Sequence, residues 1–210
     1  MDTVNYEKKS PTAWITINRP QVMNACDPST TDYIYGCEQD FDKDPDLKVL
    51  VLTGAGERAF CTGMDLKAAA ARIASGGPVS NVVPPYMKTD KVTIAAVNGY
   101  AVAGGLERAL ACDIRIASDN AQFGCFEIRR GLPNPPDPLI RLVGFGPALH
   151  MLLSGELIDA QEALRIGLVT KVVSAQELIP TVEEMAARMG EYPTEVLVAT
   201  KKAAFAGRDM

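Results

Sequence analysis

The order of apolar and polar residues along the chain changes period repeatedly. Thr12-Ala13-Trp14-Ile15-Thr16-Ile17 alternates and is β-branched, so it reads as a strand, stopped by Asn18-Arg19-Pro20. Asp27-Pro28 then has the order of a helix start, N-cap followed by proline, and Tyr33, Ile34, Cys37 and Phe41 recur on one face until Asp44-Pro45. Lys48-Val49-Leu50-Val51-Leu52-Thr53 is almost continuously apolar at strand length, which suits a strand covered on both faces. Gly54-Ala55-Gly56 turns the chain, Ala59-Phe60 reads as a short strand, and Leu66 to Ala74 as a helix closed by Gly76-Gly77-Pro78. Val79 to Asp90, with Pro84-Pro85, has no period and reads as a loop or broken helix.

The same alternation of elements continues. Thr93-Ile94-Ala95-Ala96-Val97 is a strand, Leu106 to Cys112 a helix and Asp113 to Ala117 a strand. Asp137 as N-cap and Pro138 as first position open a helix with Leu139, Leu142 and Val143 on one face. Asp159 with Glu162, and Ser174 with Glu177, have capping-box spacing; the second opens a helix through Leu178, Val182, Met185 and Met189. Pro193 starts a last helix with Val196, Leu197, Ala199 and Ala203 as its apolar positions. Strand alternating with helix predicts an α/β fold.

Bulk properties narrow the class. A chain of 210 residues fits one domain, and its net charge of -5 gives no footprint for nucleic acid or an anionic membrane. No stretch is apolar enough to span a bilayer, and the start of the chain has neither a basic region nor an apolar core of a signal peptide. The five cysteines are scattered without metal-like spacing, which points to a reduced, cytoplasmic setting and no metal site.

Two stretches carry candidate chemistry. In Val97-Asn98-Gly99-Tyr100-Ala101-Val102-Ala103-Gly104-Gly105-Leu106-Glu107 a strand turns through small residues into a helix. Gly104 and Gly105 lack a Cβ, so a ligand can approach the backbone closely, and the first N–H groups of a helix have no internal partner and carry partial positive charge. That is a place for an oxyanion. Glu107 falls in the first turn, where a carboxylate is also favoured simply by the helix dipole, so this stretch alone leaves both readings open. The second stretch is Ala59-Phe60-Cys61-Thr62-Gly63-Met64-Asp65-Leu66-Lys67, again strand into loop. Glu127, beside Phe126 and Ile128, reads from its surroundings as a surface residue.

Taken in order, Ala-Phe-Cys-Thr-Gly-Met-Asp-Leu, then Ala-Ala-Val-Asn-Gly-Tyr-Ala-Val-Ala-Gly-Gly-Leu-Glu, then Ala-Gln-Phe-Gly-Cys-Phe-Glu-Ile-Arg-Arg-Gly-Leu resemble the enoyl-CoA hydratase (crotonase) family from Trp14 to about Val173. The resemblance implies a crotonase-type spiral of repeated ββα units in a single domain, 1–210. Its core would run over about 1–173, with a C-terminal helical part, 174–210, shorter than the family's usual set. It implies Glu107 and Glu127 as the catalytic pair and the N–H groups of Met64 and Gly104 as the oxyanion hole. It places Met23, Asn24, Ala25, Cys61, Gly63, Asp65, Leu66, Lys67 and Ala103 against the CoA thioester. It further implies an acyl-CoA substrate, assembly as a homotrimer or homohexamer, and no cofactor beyond the CoA of the substrate.

Both glutamates together favour hydration of a 2-enoyl-CoA; an enoyl-CoA isomerase or other CoA-thioester enzyme of the same fold, and a non-catalytic CoA-binding or assembly protein, are the alternatives. The chief departure from the family pattern is Pro133-Asn134-Pro135-Pro136-Asp137-Pro138, where relatives usually have a proline followed by paired glycines, and it bears on substrate choice. His150, the only histidine, lies among Ala148, Leu149, Met151 and Leu152 and reads as structural. Cys61 and Cys125 read as packing residues, and Arg129 and Arg130 as solvated or salt-bridged, with CoA phosphates as the other reading.

Overall fold

The computed structural model describes residues 2–75, 89–133 and 137–208. The expected turn at Gly76-Gly77-Pro78, nearly all of the aperiodic stretch from Val79, and Asn134-Pro135-Pro136 lie outside the described residues.

Two sheets organise the molecule. In the larger, β1 (Val4–Lys9) pairs antiparallel with β2 (Thr12–Ile17), and β2, β3 (Val49–Gly54), β5 (Val92–Val97), β7 (Ile114–Ser118) and β10 (Lys171–Val173) follow in parallel. The smaller consists of β4 (Ala59–Cys61), β6 (Tyr100–Val102) and β8 (Gln122–Gly124) in parallel, with β9 (Ile158–Asp159) antiparallel at its edge. Consecutive strands thus divide between the sheets. β3 and β4 lead into helix α2 (Leu66–Ala74), and β5 and β6 into α3 (Gly104–Ala111). β7 and β8 lead through a 3-10 turn at Ile128–Arg130 to α4 (Asp137–Val143). This is the expected repeat of ββα units.

The uninterrupted apolar run of β3 now has its cause. Leu50 and Leu52 face the main core with Ile15, Ile17, Ile34, Phe41, Phe60 and Phe123, whereas Val49 and Val51 face the opposite side with Val92, Ile94 and Ile116. Side chains alternate across a strand, so a strand buried on both faces needs apolar residues at every position. The second face is covered by α7 (Ala175–Gly190) through Leu178, Val182 and Ala186.

Helix α1 (Pro28–Lys43) starts as expected, with Asp27 accepting from the Thr30 N–H at 2.8 Å. Its buried face is Thr30, Thr31, Ile34, Cys37 and Phe41; Tyr33 is 55% exposed, because its position is rotated away from the stripe. At the start of α6 (Ala160–Arg165) the capping box is half made, since Asp159 accepts from the Glu162 N–H at 2.8 Å but the Glu162 carboxylate turns to Arg165. At the start of α7, Glu177 accepts from both the N–H and the hydroxyl of Ser174. α5 (Phe145–Ser154) carries His150 on its exposed side, paired with Glu156 at 3.1 Å, so its role is a surface contact and not core packing. In α8 (Thr194–Arg208), Val196, Ala199 and Ala203 are exposed and only Leu197 of the expected apolar positions is half-buried against the second core.

Candidate active site

The site forms where the loops after β4 and β6 meet. Gly105 has no room for any side chain: a Cβ there would stand 1.9 Å from the carbonyl oxygen of Cys61. Gly63 has φ of +88°, and its Cβ would stand 3.0 Å from the Gly104 nitrogen. Glycine at both positions therefore lets the end of β4 lie directly against the first turn of α3. Between β6 and α3, Ala103 takes φ 52° and ψ -133°, a conformation that costs a side-chain-bearing residue about 1–3 kcal/mol. It is held there at both ends, its N–H donating to Gly124 O at 3.0 Å and its carbonyl accepting from the Glu107 N–H at 3.1 Å.

Two amides are left over by this arrangement. Cys26 bridges the Met64 loop as a short parallel ladder, its N–H donating to Gly63 O at 2.8 Å and its carbonyl accepting from the Asp65 N–H at 2.9 Å. In such a ladder the N–H of the intervening residue, Met64, points away from Cys26. The Gly104 N–H is the first of α3 and has no intrahelical acceptor. Among the described residues neither amide has a protein acceptor.

Both residues line one cavity of about 330 Å³, together with Glu107, Glu127, Phe126, Thr31, Arg108 and Leu66. Glu107 comes from the first turn of α3, where its position is fixed by the Ala103 bond. Glu127 comes from the turn after β8, where its carbonyl accepts from the N–H groups of Arg130 at 2.8 Å and Leu132 at 3.1 Å. Burial pushes the Glu107 carboxyl up to about 7, and the neighbouring Glu127 pushes the same way, against the opposing charge of Arg108. A carboxyl held near neutrality beside a second carboxyl is equipped to exchange protons at ordinary pH.

The enoyl-CoA hydratase/isomerase family model matches residues 7–209. The chain belongs to that family. Within it, the (E)-benzylidenesuccinyl-CoA hydratase of Thauera aromatica is 43% identical over 99% of this chain and 84% of that protein. The short-chain-enoyl-CoA hydratase of Clostridium acetobutylicum is 40% identical over 89% of this chain and 74% of that one. A crystal structure of enoyl-CoA hydratase from Bacillus anthracis superposes with a TM-score of 0.90 at 29% identity, covering 100% of this chain and 84% of that chain. That of the Mycobacterium tuberculosis H37Rv enoyl-CoA hydratase gives 0.89 at 35% identity, covering 99% and 90%. The crotonase fold expected from the sequence is therefore the fold of this family member.

The residues that the family resemblance placed against a CoA thioester take different places. Gly63 and Ala103 line the inner cavity, and Met23, Ala25, Asp65 and Lys67 line an adjoining groove of about 580 Å³. Leu66, Thr62, Met64, Phe126 and Arg130 border both, which makes the groove the approach to the cavity. Asn24 and Cys61 border neither. Asn24 is fully buried, its amide donating to Ala55 O and Ala59 O and its oxygen accepting from the Arg19 N–H, so its side chain pins the loop behind the groove. Cys61 is also fully buried, with its sulfur 4.0 Å from that of Cys26. Asp65 lines the groove, but its carboxylate is occupied: Arg19 donates to it at 3.0 Å, and the Lys67 and Ala68 N–H groups donate at 3.2 and 3.3 Å. Arg129 stacks on the ring of Phe126 at 4.1 Å, while Arg130 faces the cavity and groove. Cys125 is buried as expected of a packing residue.

Sequence reading passed over Arg19, Thr31 and Arg108. Arg19 is mostly buried and ties Ala25 O, Asp27 and Asp65 together, joining the two loops that wall the groove. Its trace in the sequence is an arginine immediately before Pro20, which looks like an ordinary strand stop. Arg108 follows Glu107 in what reads as a charged helix surface, and only groups distant in sequence, among them Thr31 and Glu38 of α1 and Leu50 and Leu52 of β3, enclose it.

Proposed function

We propose that this family member is an enoyl-CoA hydratase, adding water to a 2-enoyl-CoA to give a 3-hydroxyacyl-CoA, or carrying out the reverse dehydration. The observation that carries the reading is that Glu107 and Glu127 share one cavity with the open amides of Met64 and Gly104. The thioester oxygen accepts from these two N–H groups, which stabilise the negative charge it gains as the enolate forms. A water lies between the carboxyl groups, one ionised and one protonated. The ionised group takes a proton from the water, the hydroxyl oxygen bonds to C3, and the protonated group delivers its proton to C2 on the same face. The two carboxyls titrate as a pair, and the elevated Glu107 supports that division of labour. The addition is redox-neutral and the two amides bear the charge that develops on the thioester oxygen, so the proposed reaction needs neither a redox cofactor nor a metal.

In this reading Met23, Ala25 and Leu66 border the pantetheine path, and Lys67, exposed at the groove, meets CoA phosphates. The names of the hydratases in Thauera and Clostridium support the same activity. Assembly as a homotrimer or a dimer of trimers belongs to the proposal too, supported by the exposed Val196 and Phe205 on α8, and sedimentation velocity tests it.

The deciding experiment mixes the purified protein with crotonyl-CoA and follows the conjugated thioester absorbance, with mass analysis of the product. A gain of one water, lost by orders of magnitude in Glu107→Gln and in Glu127→Gln with thioester binding retained, is expected. Near-normal hydration by either variant overturns the assignment of the pair, and double-bond migration without water uptake overturns the hydratase reading in favour of an isomerase.

A further inference from the structure

Arg108 is the anomaly of the cavity. Its side chain is buried, with the residue 8% exposed, and it reaches from α3 to Thr31 on α1. Among the described residues its only hydrogen-bond partner is the Thr31 hydroxyl, at 3.3 Å, and no described carboxylate forms an ion pair with it. A guanidinium offers five N–H donors, and a buried one is normally paired, because an unpaired buried charge is costly. Glu38 shares with it a small second cavity of about 20 Å³ and Glu107 shares the main one; both feel its charge without pairing with it.

The position of this cation selects its ligand. Arg108 and Thr31 line the inner cavity but not the outer groove, whereas Lys67 lines the groove but not the cavity. The phosphates of CoA belong to the groove side, so Arg108 faces the acyl group. The charges of the cavity point the same way. Its lining holds Arg108 and Arg130 against Glu107 and Glu127, and the proposed chemistry requires one of the two carboxyls to be protonated at the moment of addition. Among the described residues that line the cavity one positive charge is then in excess, in a partly apolar space.

We infer that Arg108, with Thr31, is a carboxylate-binding subsite, and that the natural substrate is the CoA monothioester of an unsaturated dicarboxylic acid. This rests on the reading that the cavity takes an acyl-CoA. The free carboxylate accepts two parallel N–H bonds from the guanidinium, a geometry that arginine provides and lysine does not, with the Thr31 hydroxyl as an additional donor. Arg108 is thus a specificity-determining residue, neither donating nor accepting the protons of the hydration itself.

The test compares substrates that differ only in a terminal methyl or carboxylate. For turnover these are trans-2-pentenoyl-CoA and glutaconyl-CoA; for binding without reaction, pentanoyl-CoA and glutaryl-CoA are titrated by calorimetry. The wild-type protein is expected to favour the carboxylated member of each pair by at least about tenfold, the scale of one charge-assisted bidentate contact. Arg108→Met is expected to abolish or invert that preference, and Arg108→Lys to restore only part of it. Equal treatment of the two members by the wild-type protein, or an undiminished preference in Arg108→Met, overturns the subsite. The wild-type comparison stands even if a variant fails to fold. Hydration of pentenoyl-CoA with no preference for carboxylate overturns the subsite and keeps the hydratase; Arg108-dependent glutaryl-CoA preference without hydration of either enoyl thioester overturns the hydratase and keeps the subsite.

Discussion

Replacing Gly105 by alanine introduces a single methyl group at the point where β4 meets α3. Its carbon would lie 1.9 Å from Cys61 O, 2.5 Å from Cys61 C and 3.0 Å from Cys61 Cβ, so the obstruction is mainly backbone and no side-chain rotation relieves it. Cys61 is itself fully buried in β4, which pairs with β6, so strand and helix must separate by more than an ångström. Overpacking of a core typically costs about 1–3 kcal/mol, and a rigid backbone contact places this case at or above roughly 3 kcal/mol. Gly104→Ala is the matched control. Its Cβ would meet only Gly63 Cα, at an ordinary 3.5 Å, and alanine is favoured over glycine in a helix, so its stability should stay within about 1 kcal/mol of the parent. Urea unfolding followed by circular dichroism measures both. The same separation would pull the Gly104 amide away from that of Met64, its partner in the oxyanion hole proposed above, and removal of one oxyanion donor typically lowers turnover by about 10²–10³. The folded fraction of Gly105→Ala should therefore hydrate crotonyl-CoA far more slowly than Gly104→Ala. Equal urea midpoints for the two variants would refute the packing reasoning, and equal turnover in the folded state would refute its link to the oxyanion hole.

Other expectations test separate parts of the structure. Glu107 is pushed up to about 7 from an ordinary 4.5, so the folded protein keeps a proton that the unfolded chain releases between those values, and stability falls as pH rises through that window. Glu107→Gln should remove about 1–2 kcal/mol of that fall, a figure discounted for partial solvent exposure, when unfolding is measured at pH 5 and pH 8. A slope identical to the parent's contradicts the shift; Glu38, which burial also pushes up to about 7, contributes to the slope that remains. Arg115 is buried and donates to Leu168 O at 2.7 Å and Cys112 O at 2.6 Å, so Arg115→Met should cost roughly 3 kcal/mol in urea unfolding by leaving those carbonyls unsatisfied. A loss under 1 kcal/mol would show that water or a shifted backbone replaces these bonds.

The alternation at Thr12–Ile17, the unbroken apolar run of β3 and the Asp27-Pro28 start of α1 were legible because each depends on local periodicity or capping. The glycines were legible because a strand-to-helix turn with open amides is also a local feature, whereas for Glu107 that stretch left the helix dipole as an equal reading. Strands such as β6 and β9 were not: two or three residues carry no period, and they exist only because a neighbouring strand offers its edge. Glu127 illustrates the division between the two kinds of information, since its own surroundings resemble a surface turn and only its resemblance to the family singled it out. Asn24 and Asp65 are polar residues in the right loops, but whether a polar side chain faces a ligand or closes the loop behind it depends on partners distant in sequence. Arg108 is the clearest case. Within α3 it is one more charged residue on an eight-residue helix, and its neighbours in the chain do not distinguish solvent from cavity. Burial is a property of what packs against a residue, and here that includes Thr31 of α1, seventy-seven positions away in the chain, and Leu50 and Leu52 of β3. Local sequence set the elements and the glycine turn that leaves the Met64 and Gly104 amides open; long-range packing of α1 and the sheet around α3 decided that an arginine would stand inside the cavity.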